Sequence, residues 1–244
     1  MKINSVTGYK ANSRINFTSI NNPIAPFKVP TKHGTLFVKE LNASEYTKPE
    51  TIKKITKFFI ENFSQDTKDN FWLTYRKGSP EEKQRTFDIL EGYYAQIFND
   101  KKNQPNLTLL VAKDENNKLQ GACITYGNHE IPDSFESTLY VDSMATNKKY
   151  RGEYLASNML NKTLKANENT FTDVYLTSTK FADSFYEKFG FVKLNPDIDS
   201  EKIILDYVSK IRQEYPEHIT PYHKPLQSDK PRWTEKSSKA IKSN

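Results

Sequence analysis

Two strand-like segments separated by a helix constrain the fold of this chain more than any other feature. Residues 137–146, STLYVDSMAT, form an aromatic and β-branched run that is typical of a strand. A short basic loop follows, and apolar residues then recur at helical spacing until a second strand-like run, DVYLTST, at 173–179. Because a helical crossover returns the chain in its original direction, these two strands are predicted to lie parallel in one sheet.

The segments around this crossover are predicted to extend the same sheet. Strand-like runs are TLFVKEL (35–41), LTLLVAKDE, LQGACITYG, FVKL and IILDYV (203–208), and the turn-prone DENNK joins the second to the third as a hairpin. Helical spacing marks 49–64, 79–98 and 181–190, and Ser79, Pro80 and Glu82 form a capping box at the start of the second of these helices. The predicted fold class is therefore mixed α/β: a central, mostly antiparallel sheet with one parallel crossover, flanked by helices in a single domain.

The charge distribution divides the chain into three parts. Of the formal net charge of +6, residues 1–34 contribute +5 and residues 209–244 contribute +4, which leaves −3 for the middle. The ends are also rich in Asn, Ser, Thr or Pro and show no sustained period. We therefore predict a flexible arm over 1–33, a folded domain over 34–208 and a basic, largely disordered tail over 209–244. This distribution disfavours a nucleic acid as partner, because proteins that bind nucleic acids usually carry their basic surface on the folded part.

Several other classes of protein are disfavoured by composition. No run of 18 apolar residues is present, so no membrane span and no membrane partner are predicted. The single cysteine, Cys123, excludes an internal disulfide and fits a reducing, cytoplasmic location. The four histidines are scattered without a ligand spacing, so no metal site is predicted.

The loop between the crossover strand and its helix has the chemistry of a phosphate site. Lys148, Lys149 and Arg151 place cationic side chains there, and Gly152 permits close approach of the backbone to a ligand. The helix that follows offers unpaired N–H groups and the positive end of its dipole to an anion. An ordinary strand-to-helix turn with exposed cations explains this segment, taken alone, equally well.

Neighbouring motifs make the chain resemble the GNAT superfamily of acetyl-CoA-dependent N-acetyltransferases over about residues 34–208. LYVDSMAT leading into KKYRGEYLASNML is similar to that family's acetyl-CoA loop, Arg/Gln-x-x-Gly-x-Gly/Ala, with Arg151 first and Ala156 last. ADSFYEKFGF at 182–191 is similar to the family's carboxyl-terminal A-x-x-x-Y-x-K-x-G-F. The chain departs from the family at two positions, because Tyr154 replaces the central glycine of the loop and Thr179 replaces a frequent asparagine.

The resemblance implies acetyl-CoA as co-substrate and a set of residues that would bind it. Backbone groups of Met144 and Thr146 would bind the pantetheine arm where the strand splays from its parallel neighbour. The loop around 150–156 would bind the pyrophosphate. The implied cofactor-binding residues are Met144, Thr146, Arg151, Gly152, Glu153, Tyr154, Leu155, Ala156 and Thr179.

Two side chains are candidates for acid–base chemistry. The resemblance puts Tyr186 beside the CoA sulfur, where its phenol would donate a hydrogen bond or a proton to the leaving thiolate; packing among neighbouring aromatics is the alternative. Asp142 is the candidate base, since a carboxylate within LYVDSM is costly to bury without a partner; an aspartate facing solvent is the alternative. Glu136 is the reserve base. Side-chain alternation predicts that Tyr140, Asp142, Met144 and Thr146 share one face of the strand.

The acceptor is predicted to be a small-molecule or peptide amine. The linker between the first two long helices is dense in aromatics, and Trp72 and Tyr75, together with Tyr140, are candidate substrate-binding residues through apolar or cation-π contacts. The aromatics of the linker would equally well cap the core. The predicted function is transfer of an acetyl group from acetyl-CoA to an amine by direct attack in a ternary complex. The alternatives are a catalytically silent GNAT-like binding module and a nucleic-acid-associated protein that uses its basic ends.

Overall fold

The structure is a computed structural model, and it describes residues 23–63, 75–99, 106–127, 138–171, 173–179, 181–195 and 219–226. None of the helices within these ranges is long and apolar enough to cross a membrane. The strands are β1 (Phe27–Thr31), β2 (Gly34–Leu41), β3 (Thr108–Lys113), β4 (Leu119–Gly127), β5 (Thr138–Thr146), β6 (Asp173–Thr179), β7 (Val192–Lys193) and β8 (Ile219–Pro225). The α-helices are α1 (Ala43–Tyr46), α2 (Pro49–Phe63), α3 (Pro80–Asn99), α4 (Leu155–Asn167) and α5 (Asp183–Lys188), and Lys148–Tyr150 form a 3-10 turn.

The eight described strands form one sheet in the order β1-β2-β3-β4-β5-β6-β8-β7. β5 and β6 are parallel, and each of the other neighbouring pairs is antiparallel. This confirms the predicted mixed sheet with one parallel crossover, in which α4 joins β5 to β6. The crossover follows from chain direction, since a helix of 13 residues spans about 20 Å and carries the chain back along the strands.

Local sequence explains where the two long helices begin. Ser79 and Glu82 form the predicted capping box: Ser79 Oγ accepts from the Glu82 N–H at 3.2 Å, and Glu82 Oε2 accepts from the Ser79 N–H at 2.7 Å. α2 begins at Pro49, where the missing N–H is tolerated because the first turn has no acceptor for it. Its buried side chains include Ile52, Ile55 and Phe59, which recur at helical spacing.

Two buried clusters cover the two faces of the sheet. The α4 cluster contains Leu155, Met159 and Leu164 of α4 together with alternate strand residues such as Leu110. The α2 cluster contains side chains from α1, α2 and α3, including Phe59 and Tyr94, and the intervening strand residues such as Leu109. Consecutive strand residues therefore enter opposite cores, which makes β3 and β4 almost continuously buried.

The sheet extends beyond both predicted domain boundaries. β1 lies in the segment predicted as a flexible arm, and β8 lies in the segment predicted as a disordered tail. β1 is an edge strand, so it tolerates Pro30. Among the described strands, β8 has β7 as a second neighbour at Tyr222 and His223. Its prolines, Pro221 and Pro225, lie outside that stretch. The strand predicted at 203–208 lies outside the described residues.

Candidate active site

An opening between β5 and β6 is the main feature of the sheet at the carboxyl ends of these strands. The two strands pair only from Thr138 with Asp173 to Val141 with Leu176. β5 continues to Thr146 and β6 to Thr179, so the last parts of both strands diverge. The backbone groups of β5 that face this gap have no strand partner on that side among the described residues. Such groups are hydrogen-bonding sites for a ligand that enters the gap.

A β-bulge places Asp142 beside this opening. Ile124 of β4 pairs with Ser143 of β5, and the next residue, Thr125, pairs with Val141. Asp142 is therefore the extra residue of β5 at this point. A bulge of this kind bends the strand and redirects the side chains that follow it.

The bulge also overturns one prediction about side-chain direction. Val141 belongs to the α4 cluster and Ala145 to the α2 cluster, although strict alternation would place both on one face. Met144 packs against the α4 cluster, whereas Tyr140 contacts Tyr126, which packs against the α2 cluster. The prediction that residues 140, 142, 144 and 146 share one face of β5 is therefore wrong, because the extra residue reverses the alternation.

The loop after β5 has two residues with a left-handed backbone. Asn147 caps the 3-10 turn by accepting from the Lys149 N–H at 3.0 Å. Gly152 then has φ +77° and Tyr154 has φ +63°. Tyr154 is the N-cap of α4, makes no side-chain cap hydrogen bond and is 75% exposed. The bulky side chain at the place of the family's glycine therefore points into solvent, and the first N–H groups of α4 are left without a side-chain cap.

Tight packing seats α4 on the sheet beneath this loop. A Cβ added at Gly121 of β4 would lie 2.9 Å from Leu155 Cδ2 and 3.3 Å from Met159 Sδ. The helix and β4 therefore approach more closely than a larger residue at position 121 would allow. The predicted cofactor residue Leu155 is fully buried in this contact.

A cavity of about 130 Å³ lies between the loop, the diverging strands and α5. It is lined by five of the predicted cofactor-binding residues, and also by residues that sequence reasoning did not identify: Met144, Thr146, Arg151, Ala156 and Thr179, with Asn62, Phe63, Ala145, Phe181 and Phe185. The Arg151 Nε donates to the Thr146 carbonyl at 3.4 Å, which holds the guanidinium beside the end of β5. A larger cavity, of about 540 Å³, lies at the β1–β2–β3 edge and is lined by none of the predicted site residues.

Three phenylalanines at this cavity are not identifiable as site residues from the sequence, because their spacing is also typical of core packing. Phe181 is 67% exposed, which is unusual for so large an apolar side chain. Phe185 packs on Tyr186 with ring centroids 5.1 Å apart, and Phe63 ends α2. The dense aromatic run at 181–191 was the available sequence signal for Phe181 and Phe185. No sequence signal indicates that Phe63, more than 100 residues earlier, lies near them.

Tyr186 lies in the α4 cluster, behind Phe185. Its side chain is 7% exposed, and burial, with smaller contributions from Cys123 and Tyr140, raises its pKa well above the usual value for tyrosine. Burial likewise raises the pKa of the Cys123 thiol to about 12. No hydrogen bond recorded among the described residues uses the Tyr186 hydroxyl. Tyr186 is therefore a protonated phenol, suited to donate a hydrogen bond to an incoming acceptor.

Asp142 accepts hydrogen bonds from three hydroxyl groups. The hydroxyls of Tyr93 of α3 and Tyr126 of β4 donate to Oδ1, the latter at 3.3 Å, and Ser143 Oγ donates to Oδ2 at 2.7 Å. A carboxylate has about four acceptor positions. The donors among the described residues occupy three of these positions, which leaves one for a donor such as an amine or a water molecule.

Three tyrosines form a row across neighbouring strands next to Asp142. Tyr126 lies opposite Tyr140, which lies opposite Tyr175. The Tyr140 and Tyr175 rings are stacked with centroids 4.6 Å apart, and Tyr126 meets Tyr140 edge-on at 5.4 Å. Burial, followed by the Asp142 carboxylate, raises the pKa of Tyr126. The surroundings of Asp142 are therefore aromatic.

The remaining predicted residues are distributed around this site. Tyr75 is half-buried, and burial together with Glu61 of α2 raises its pKa, but no contact between Tyr75 and Tyr140 is recorded. The Glu153 carboxylate points to the β1–β2 turn, where it lies 3.2 Å from Lys32 Nζ. Trp72 and Glu136 lie outside the described residues.

Comparisons with known proteins point to one family. The family model described as an Acetyltransferase (GNAT) domain matches residues 76–205, more than half of the chain. No curated protein matches. Among solved structures, PH1933 from Pyrococcus horikoshii OT3 has a TM-score of 0.53 at 13% sequence identity, and the alignment covers 78% of this chain and 98% of that chain. At that identity the likeness indicates a shared fold.

Two further structures are similar to a lower degree. A GNAT-family acetyltransferase from Staphylococcus aureus Mu50 has a TM-score of 0.46 at 14% identity, over 79% of this chain and 99% of that chain. The PaiA N-acetyltransferase from Thermoplasma acidophilum, solved in complex with coenzyme A, has a TM-score of 0.49 at 11% identity, over 78% of this chain and 98% of that chain.

Proposed function

The chain belongs to the GNAT acetyltransferase family, and we propose that it transfers an acetyl group from acetyl-CoA to the nitrogen of an amine. The observation that carries this proposal is the gap between β5 and β6, which lies beside the basic loop. The cavity at this gap is lined by Phe63, which packs against the α2 cluster on one face of the sheet, and by Met144, which packs against the α4 cluster on the other. It therefore allows a thioester from one face to meet an amine from the other, in a single ternary complex.

The phosphates of CoA bind at the loop and the first turn of α4. Arg151 supplies a permanent positive charge, and the uncapped N–H groups of the helix supply donors and the positive end of its dipole. Gly152 has no side chain and the Tyr154 ring extends into solvent, so both residues present their backbone to the ligand. Ala156 and Thr179 line the cavity with small side chains that leave room for the ligand.

The pantetheine arm extends along β5 in the gap. Its amides hydrogen-bond to the backbone of Met144 and Thr146, as an added strand would. The cavity-lining Phe181 and Phe185 cover the apolar parts of the arm. This arrangement brings the thioester towards Asp142 and Tyr186.

Asp142 accepts the proton that the amine must lose. A cationic amine first loses a proton to Asp142, directly or through one water molecule, and its neutral nitrogen then attacks the carbonyl carbon of the thioester. The second N–H proton leaves the nitrogen as the amide forms and neutralises the departing thiolate. The three hydroxyl groups on Asp142 fix the orientation of its carboxylate. The neighbouring row of tyrosines provides aromatic faces for a cationic amine before it is deprotonated.

Tyr186 stabilises the leaving group. When the carbon–sulfur bond breaks, the electron pair remains on the CoA thiolate, and the Tyr186 hydroxyl donates a hydrogen bond to it. A simple thiol has a pKa of about 8.5, far below the raised pKa of Tyr186. Transfer of the phenolic proton is therefore unfavourable, and the hydrogen bond is the contribution of this residue.

Calorimetric titration with acetyl-CoA tests the proposal. The native protein is expected to bind with micromolar affinity, and Arg151→Ala to bind about tenfold more weakly, because a charge-assisted contact to phosphate is worth about 1.5–3 kcal/mol. Lys165→Ala is the matched control, since it removes the same charge from an exposed position in the last turn of α4. Absence of binding by the native protein would contradict acetyl transfer and favour a silent binding module.

Steady-state kinetics with a panel of amines then test the two side chains. Asp142→Asn is expected to lower kcat by about 10²–10³, because general-base catalysis contributes about 10²–10⁴. Tyr186→Phe should lower kcat about tenfold or more with little change in the KM for acetyl-CoA. Tyr222→Phe is the control, because it removes the hydroxyl of a neighbouring buried tyrosine that is bonded to Glu187 at 3.0 Å. Equal kinetics for Tyr186→Phe and Tyr222→Phe would refute the role of Tyr186.

A further inference from the structure

The loop between β5 and α4, residues 147–154, is called the phosphate loop below, and part of its backbone has an unfavourable conformation. Gly152 and Tyr154 are both left-handed, with φ +77° and +63°, and Glu153 lies between them. A left-handed backbone at a non-glycine residue costs free energy, so it persists only where the surroundings determine it. The side chain of Tyr154 is 75% exposed and contributes little packing of its own.

The β1–β2 turn provides that support through Glu153. The Lys32 backbone N–H donates to Glu153 Oε2 at 2.8 Å. Lys32 Nζ lies 3.2 Å from Glu153 Oε1, and His33 Nε2 lies 3.6 Å from the same oxygen. These contacts join positions about 120 residues apart in sequence, at the centre of the left-handed segment.

The turn has internal hydrogen bonds and contacts the loop at a second place. Thr31 Oγ1 donates to the Gly34 carbonyl at 2.6 Å and accepts from the His33 N–H at 3.1 Å. The His33 ring meets the Tyr150 ring edge-on, with centroids 5.7 Å apart, and Tyr150 is buried in the α4 cluster. The turn therefore contacts the phosphate loop at Tyr150, just before the left-handed segment, and at Glu153 within it.

Burial determines which of these contacts contributes most. The Lys32 side chain is 73% exposed, so its ion pair with Glu153 is largely screened by solvent. The Glu153 side chain is only 11% exposed, so the backbone N–H of Lys32 bonds a shielded carboxylate. Burial alone would raise the pKa of Glu153, but the Lys32 N–H, the Lys32 ammonium and His33 outweigh it and leave that pKa below its ordinary value.

We propose that Glu153 is a positioning residue. Its contacts with the β1–β2 turn hold the phosphate loop in the conformation that binds the phosphates of acetyl-CoA. This inference rests on the proposed function, since it assumes that the loop binds CoA. A carboxylate that merely lay near the phosphates would repel them, so its removal would strengthen acetyl-CoA binding. Removal of a positioning carboxylate is expected to weaken it. The sign of the effect therefore separates positioning from simple proximity.

Kinetics of Glu153 variants test the proposal. Glu153→Ala is expected to raise the KM for acetyl-CoA about tenfold and to leave kcat within about twofold, since the loop binds phosphates and does not touch the reacting atoms. Glu153→Gln retains the acceptor for the Lys32 N–H and is expected to raise KM about threefold. Glu50→Gln, at an exposed position in the first turn of α2, controls for the loss of one negative charge. An unchanged or lower KM in Glu153→Ala overturns the proposal.

Hydrogen exchange of the unliganded protein tests this positioning role separately from catalysis. Glu153→Ala is expected to speed exchange at the amides of residues 152–157 and of the β1–β2 turn at least tenfold, while amides of β3 and β4 keep the native rate. Lys32→Ala should have a smaller effect, because its backbone N–H remains. This exchange pattern does not depend on acetyl-CoA. Failure of the native protein to bind acetyl-CoA would therefore contradict the proposed function without contradicting the contact between Glu153 and the β1–β2 turn. If the loop amides of Glu153→Ala exchanged at the native rate, Glu153 would not stabilise the loop and the proposal would be overturned.

Discussion

Tyr154 shows that a motif can keep its backbone geometry although its glycine is replaced by a bulky residue. The family's loop has glycine at this position, and here the backbone retains the left-handed conformation that favours glycine. The tyrosine ring extends into solvent, so it does not enter the space between the loop and α5. The cost of the substitution is therefore backbone strain, and the ligand-facing side of the loop is left clear.

Substitutions at Tyr154 measure this strain directly. At a left-handed position glycine is favoured over alanine, so Tyr154→Gly is expected to be about 1 kcal/mol more stable than Tyr154→Ala. The comparison removes the same exposed ring from both variants. Urea unfolding followed by circular dichroism gives the two free energies of unfolding. An alanine variant at least as stable as the glycine variant would show that residue 154 is not left-handed.

Single residues also show which site predictions the sequence supports. Tyr186 and Arg151 follow from motif spacing. The structure places Arg151 at the cavity beside the gap, and Tyr186 in the α4 cluster behind the cavity-lining Phe185. Their roles remain predictions. The environment of Asp142 was not predictable, because its partners Tyr93 and Tyr126 come from other elements and the bulge at Asp142 has no sequence signature.

At the scale of elements, the packing of α4 against the sheet determines the position of the N–H groups in its first turn. Gly121 allows Leu155 and Met159 to approach β4 closely, and Leu155 is the first residue of the helix. Since the N–H groups of this turn are the proposed phosphate donors, displacement of the helix would move them. Packing in the core and ligand geometry at the loop are therefore linked through one glycine.

Gly121→Ala tests this link. The added Cβ would lie 2.9 Å from Leu155 Cδ2, so the substitution is expected to lower the free energy of unfolding by about 1–3 kcal/mol. It should also weaken acetyl-CoA binding by displacing the start of α4. Gly92→Ala in α3 is the matched control, because a Cβ there meets nothing within 4 Å. That variant should gain up to about 1 kcal/mol from helix propensity and bind acetyl-CoA normally. A Gly121→Ala variant that matched this control in stability would contradict the close packing of α4 on β4.

At the scale of the whole molecule, the ends of the chain complete the sheet. β1 buries Val29, and β8 pairs with both β6 and β7 and buries Tyr222 completely. Removal of both segments would take two of the eight described strands from the sheet, including β8, with which β7 pairs. The turn that contacts Glu153 would also be lost.

A fragment of residues 34–208, the domain predicted from sequence, is therefore not expected to fold stably. Loss of Tyr222 and Val29 alone removes side chains whose burial is worth about 1.5–3 kcal/mol each, against a total stability of about 5–15 kcal/mol for a typical domain. Thermal unfolding of this fragment and of residues 23–226 checks the expectation. A cooperative transition of the short fragment at the temperature of the longer one would contradict it.

The sequence by itself determined the order of the strands from β2 to β7 with the long helices between them, the parallel crossover and the basic loop after β5, because these depend on residues close together in the chain. Periodicity, the capping box at Ser79 and the spacing of Arg151 to Ala156 act within a few residues of each other. Only the tertiary structure decided that β1 and β8 join the sheet, that β5 reverses its faces at Asp142 and that Glu153 contacts the β1–β2 turn. Each of these depends on pairing between distant segments, and short segments with prolines carry too weak a local preference to reveal it.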